Sequence, residues 1–193
     1  MRVRPHDPYS IGAGFEKQTK RNMKPVISII MGSTSDLPVM EPALNFLEQM
    51  EIPFEVNALS AHRTPHQVLA FAEGAAERGI KVIIAAAGGA AHLPGVIAAA
   101  TTLPVVGVPV KASISMDGWD SMLSMIQMPP GIPVATVGLN AAQNAAILAL
   151  QIIGTGDSET AKKVAAYKAG LEKKIEKANA ELAQRKDWRF KTN

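Results

Sequence analysis

Leu59-Ser60-Ala61-His62-Arg63-Thr64-Pro65 gathers a titratable imidazole, a fixed cation and two hydroxyls in one short stretch. An imidazole takes up and releases a proton near neutral pH, and a guanidinium pairs with phosphate or carboxylate oxygens. Upstream, Phe54-Glu55-Val56-Asn57-Ala58 reads as a short strand. Downstream, Thr64 suits a helix N-cap and Pro65 the first helical position, where its missing N–H would be orphaned anyway. His62 and Arg63 are therefore expected at the carboxyl end of a strand and beside a helix N-terminus. Ligands bind at such places in open α/β sheets. The bland alternative is a surface loop with an incidental histidine.

Two further stretches carry compatible chemistry. Gly32-Ser33-Thr34-Ser35-Asp36 follows the apolar run Pro25–Met31 and precedes an amphipathic segment. Its glycine permits a tight turn, and its hydroxyls with the first helical N–H groups can cradle a phosphate. Asp36 either caps the helix or accepts hydrogen bonds from ribose hydroxyls. Gly88-Gly89-Ala90-Ala91-His92-Leu93-Pro94-Gly95 follows another apolar run. Its glycines allow a ligand close to the backbone, and His92 either contacts that ligand or caps the next helix.

The elements that must position these stretches follow from periodicity. Strands are expected at 25–31, 53–58, 81–86, 103–109 and 133–137. Between them, helices are expected from Leu37 to about Met50, from Pro65 to about Arg78 with Gly79 as its terminator, and at about 93–101. Asn140 reads as the cap of an alanine-rich helix to Ile153. The methionines and Trp119 within 111–127 read as core or interface packing. Strands alternating with helices give a parallel sheet joined by right-handed crossovers. In the order 2-1-3-4-5, the loops at Ser33–Asp36, Ser60–Arg63 and Gly88–His92 would open onto one crevice.

Composition sets outer bounds. The chain has 193 residues, enough for one domain with an appendage and a substantial core. It has no cysteine, which removes thiolate chemistry and makes a reducing cytosol, hence a cytoplasmic location, the default. The apolar region 82–110 is cut by glycines and prolines, so it reads as core rather than as a membrane span. Net charge is +3, divided as +4 over residues 1–24, −5 over 25–156 and +4 over 157–193. No basic stripe with interleaved aromatics accompanies it, so neither a nucleic-acid nor a membrane partner is expected. Residues 1–22 lack periodicity and read as a disordered, dispensable leader, with 23–156 as a catalytic α/β domain. Residues 157–193 read as a helical extension with an apolar stripe, suited to packing between subunits.

Taken together, Met31–Asp36, Ser60–Pro65, Gly88–Gly95 and Gln127-Met128-Pro129-Pro130-Gly131-Ile132-Pro133-Val134 resemble the N5-carboxyaminoimidazole ribonucleotide mutases of purine (IMP) biosynthesis. The resemblance runs from about Pro25 to Ile153, with the motifs in family order and spacing. It implies a three-layer flavodoxin-like fold, assembly as a homo-octamer, and a ribonucleotide as the small-molecule substrate. It implies that a carboxylate moves from the exocyclic nitrogen to ring carbon four, with no cofactor (no metal, biotin or ATP). By motif match, His62 would be the general acid/base, and Ser33, Ser35, Asp36 and Arg63 would bind the ribonucleotide, Arg63 facing its phosphate. Ser60, Gly88, Gly89 and His92 would line the pocket. Two positions depart from the pattern: Ala86 stands where glycine is expected, and Leu37 where tryptophan is common. Neither carries a functional group, so both bear on local packing.

One imidazole could serve both halves of such a transfer, giving a proton to nitrogen as carbon dioxide leaves and taking one from carbon four afterwards. Two rival readings accompany this one. A carboxylase of the same fold would use free carbon dioxide on the bare ribonucleotide. A flavin-carrying electron-transfer module would use the first loop for the flavin phosphate, although 87–95 offers no aromatic ring to stack on a flavin.

Overall fold

A computed structural model describes residues 23–185 and 187. The leader assigned to residues 1–22 lies outside the described residues. Five strands form one parallel sheet: β1 (Ile27–Met31), β2 (Phe54–Ala58), β3 (Val82–Gly88), β4 (Val105–Val110) and β5 (Ala135–Thr136). Their order is β2-β1-β3-β4-β5, the doubly wound arrangement of flavodoxin-like proteins. The central strands are near-continuous apolar runs because both their faces are covered. Every residue of β1 and β4 is buried, as is β3 up to Gly88. On the edge strand β2, half-buried and exposed residues mix.

A 3-10 turn (Thr34–Asp36) leads into α1 (Leu37–Gln49), which buries Met40, Ala43, Phe46 and Leu47 at helical spacing. After β2 come α2 (Pro65–Glu73) and, beyond β3, α3 (Leu93–Ala99), which packs on β3 and β4 and against α2. Helix α4 (Trp119–Ile126) packs on β4. Helices α5 (Ala142–Gly154) and α6 (Ser158–Ala183) are the last elements among the described residues. The chain divides into two compact units between Ala146 and Ile147, inside α5. Within the second, the Asp157 side chain caps α6 by accepting from the Thr160 N–H at 3.0 Å.

Several boundaries differ from the sequence expectation for local reasons. Helix α2 stops at Glu73, short of Arg78, because Gly74 follows and Arg78 turns back to donate to the Phe71 carbonyl at 3.1 Å. Gly79, at φ +96°, instead ends the turn that leads into β3. Strand β5 is shorter than 133–137 because Pro133 has no N–H to offer, although the Val137 N–H still reaches the Gly107 carbonyl at 3.1 Å. Strand β3 runs on to Gly88, beyond the expected end at Ala86. Asn140 does not cap α5: it lies at φ +56°, and its side-chain oxygen accepts from the Lys111 N–H at 3.0 Å. Ala86 is fully buried between Met31 and Val108 of the neighbouring strands, so the core accommodates the extra methyl group. Leu37 is half-buried at the start of α1.

Candidate functional site

Because β1, β2 and β3 are parallel and adjacent, the loops leaving their carboxyl ends rise on the same side of the sheet. After β1, the Ser33 hydroxyl accepts from the Ser35 N–H at 3.4 Å, and the Asp36 N–H donates to the Ser33 carbonyl at 3.2 Å. These bonds close the 3-10 turn and fold Asp36 inward, where it is only 8% exposed. Its carboxylate makes no cap bond to α1, which removes the capping alternative. Instead it accepts from the Ser35 hydroxyl at 3.3 Å. Burial pushes the Asp36 carboxyl above its ordinary pKa, and the Ser35 hydrogen bond opposes that shift.

After β2 the chain is knotted by Thr64. Its hydroxyl does not cap α2 as expected; it donates to the Ser60 carbonyl at 3.1 Å and accepts from the Ser60 N–H at 3.0 Å. The Thr64 N–H donates to the same carbonyl at 2.8 Å, and the Arg63 N–H to the Ser60 hydroxyl at 3.2 Å. This compact turn holds His62 and Arg63 at its apex. From there the Arg63 guanidinium donates to the Gly32 carbonyl at 2.9 Å, placing a fixed cation over the first loop.

After β3, Gly89 (φ +61°) and Ala91 (φ +49°) turn the chain sharply, and the Ala91 N–H closes the turn on the Gly88 carbonyl at 3.2 Å. His92 follows at the start of α3. Its side chain makes no cap bond. Instead its Nδ1 lies 2.7 Å from Nε2 of His62, with the rings edge to face at a centroid distance of 4.9 Å. One nitrogen must donate and the other accept, so one proton sits between the rings. Two imidazolium rings could not keep this bond, since both nitrogens would then be donors.

The three loops border a cavity of about 370 Å³, within the range of small-molecule sites. Ser33, Ser35, Asp36, Ser60, Arg63 and the histidine pair supply polar groups to its lining. Ala87, Ala91, Leu93, Ala112 and Ile114 supply apolar groups, with Ser113 between the last two. Of the residues singled out from sequence, Ser33, Ser35, Asp36, Ser60, His62, Arg63, Gly88 and His92 meet here. Gly89 does not: its N–H points away to the Ser115 hydroxyl at 3.2 Å, so its part is to make the turn. The wall at Ala112–Ile114 was missed, because residues 111–127 read as packing. Its position directly after β4, at the same sheet end as the other loops, is the signal that could have found it.

The arrangement can place an anion by Arg63, hydroxyl groups by Asp36, an apolar ring against the alanines, and a mobile proton between them. Among the described residues no three His, Asp or Glu side chains form a ready metal-ligand set.

Comparison with known proteins gives concordant results. The family described as AIR carboxylase matches residues 26–174. An N5-carboxyaminoimidazole ribonucleotide mutase of Pyrococcus horikoshii is 51% identical over 164 residues, covering 85% of this chain and 92% of that protein. A phosphoribosylaminoimidazole carboxylase of Saccharomyces cerevisiae is 50% identical over 168 residues, covering 87% of this chain but only 29% of the yeast protein. The crystal structure of Treponema denticola PurE superposes with a TM-score of 0.72 at 29% identity, covering 83% of this chain and 99% of that one.

Proposed function

The chain belongs to the AIR carboxylase family, and from that premise we propose that it is an N5-carboxyaminoimidazole ribonucleotide mutase of purine biosynthesis. It moves a carboxyl group from the exocyclic nitrogen of the aminoimidazole ribonucleotide to ring carbon four. The observation that carries the reading is the His62–His92 pair, held at 2.7 Å at the edge of a cavity shared with Arg63 and Asp36. A mutase needs one group that gives a proton and takes it back, and a pocket that grips a charged ribonucleotide around it.

In this reading His62 protonates the exocyclic nitrogen as its bond to the carboxyl carbon breaks and carbon dioxide departs. The carbon dioxide then bonds to carbon four, and the proton displaced from that carbon returns to His62. No proton is gained or lost overall. His92, hydrogen-bonded to the working ring, fixes its orientation and tautomer. Arg63 holds the phosphate by charge-assisted hydrogen bonds, and the Ser33 and Ser35 hydroxyls accompany it. Asp36 accepts from the ribose hydroxyls. Ser60 and Gly88 complete the lining.

The test is an assay of the purified protein on the N-carboxylated ribonucleotide, with and without added bicarbonate. Turnover should be the same in both. A strict requirement for bicarbonate would favour the direct carboxylase. A flavin module gains no support, since among the described residues no Phe, Tyr or Trp lines the cavity.

Assembly as a homo-octamer belongs to the same proposal. It is supported by apolar groups left in solvent. On α4, Trp119, Leu123 and Ile126 form an exposed stripe at helical spacing, and Ile114 and Met116 are exposed just before it. On α6, Leu171, Ile175 and Leu182 are likewise exposed. Large apolar side chains exposed in groups of this kind mark contact sites. In this reading 157–193 is an extension that packs between subunits, so deletion after Gly156 should reduce the particle mass measured by light scattering. An unchanged octamer would assign the contacts to other surfaces. No described helix is long and apolar enough to cross a membrane. A cytoplasmic setting is part of the proposal and rests on the cysteine-free composition.

A further inference from the structure

Ser115 does not line the cavity, yet its hydroxyl joins two of the cavity's walls. Its Oγ accepts from the Gly89 N–H at 3.2 Å and from the Ala112 N–H at 3.2 Å, and donates to the Val110 carbonyl at 3.3 Å. A hydroxyl has one proton to give and two lone pairs to share, so all its bonding capacity is in use. The Val110 carbonyl also lies 3.1 Å from the fully buried Ser121 hydroxyl, whose one proton it shares with the Gly118 carbonyl at 3.0 Å. The walls also touch directly: a methyl group added at Gly88 would lie 2.6 Å from the Ala112 side chain.

The consequence runs along the backbone. Gly89 belongs to the turn that ends at His92, and His92 is bonded to His62. The same hydroxyl therefore fixes the Ala112–Ile114 wall and the loop that carries His92 of the proton-transfer pair. If the carboxyl carbon travels as free carbon dioxide, which offers no charge for Arg63 or Asp36 to hold, the Ala112 and Ile114 side chains are apolar cavity surface for it to rest against, Ile114 being 81% exposed.

We infer that Ser115 is a positioning residue that holds the Ala112–Ile114 wall in place against the glycine turn during carboxyl transfer, so that carbon dioxide is recaptured rather than released. The inference rests on the mutase reading. In the productive course the nitrogen–carbon bond breaks, the nitrogen gains a proton, and carbon four then exchanges its proton for the carbon dioxide. In the leaking course the second exchange fails, and carbon dioxide plus the bare aminoimidazole ribonucleotide leave.

The experiment follows substrate labelled with ¹³C in its carboxyl group, in unlabelled bicarbonate, for the wild-type protein, Ser115→Ala and Ser115→Thr. Fold is checked by circular dichroism. Ser115→Ala should raise the fraction released as bare ribonucleotide by about tenfold, the scale set by losing one or two net hydrogen bonds. Its product should also lose label, while KM moves by less than about twofold because the phosphate side is untouched. Ser115→Thr, which keeps the hydroxyl, should restore the wild-type partition. An unchanged partition in Ser115→Ala would overturn the assignment, as would equal leakage from Ser115→Thr. Failure of Ser115→Ala to fold would make the hydroxyl purely structural and overturn it too. The mutase reading stands or falls separately, on whether the wild-type protein turns over without bicarbonate.

Discussion

His62→Asn is expected to bind the ribonucleotide nearly as well as the wild-type protein and to lose about 10²–10⁴ in kcat, the usual worth of general acid/base action. The amide is close to imidazole in size and can keep one hydrogen bond to His92, but it cannot take up a proton near neutral pH. His62 sits on a turn held by Ser60 and Thr64, backbone bonds included, so the substitution leaves its support intact. His92→Asn should cost less in kcat, because the group that meets substrate remains. The cost it does carry comes from the 2.7 Å bond that orients the His62 ring. The check is kcat against pH for both variants, with ligand affinity measured separately. A His62 variant turning over at a near wild-type rate would remove the proton-shuttle role assigned to this loop.

Arg63→Ala should act on binding instead. Charge-assisted hydrogen bonds are worth about 1.5–3 kcal/mol, so KM should rise by about tenfold to a hundredfold. With the proton-transfer pair untouched, kcat should fall far less. The bond from Arg63 to the Gly32 carbonyl is exposed to solvent, so its loss should barely alter the thermal midpoint. Titration with inorganic phosphate, read as inhibition, offers a second check: the variant should lose sensitivity that the wild-type protein shows. Equal KM values for the variant and wild type would move the phosphate to another part of the cavity.

Legibility in the sequence followed locality. The apolar runs of β1, β3 and β4 announce strands buried on both faces, and the glycine, proline and hydroxyl residues that follow announce turns. Alternation of strands and helices restricts the sheet to a few orders, and the observed one brings together the three loops that carry chemistry. That is why His62, Arg63, Ser33 and Asp36 could be named as neighbours although no two of their loops adjoin in the chain.

Side-chain partners were not legible. Thr64 and Asp36 both occupy N-cap positions, where isolated propensity predicts a cap bond. Each has a stronger local claim on it: the Ser60 backbone for Thr64, and burial beside Ser35 for Asp36. Gly89 and Gly88 look alike in sequence, yet one N–H is taken by Ser115 and only the other glycine lines the cavity.

From its sequence alone, this chain determined its strands, their connection into a parallel sheet, and the three loops that carry its reactive groups. Such features depend on residues adjacent or one turn apart. Only the tertiary structure decided that His92 completes His62 rather than capping α3, that Ala112–Ile114 forms the fourth wall, and that Ser115 ties that wall to the glycine turn. Those contacts join residues 30 or 26 positions apart, and their geometry is set by how the ends of β2, β3 and β4 lie across the sheet. Local propensity cannot encode a distance between side chains on different strands, because packing of the intervening core fixes it.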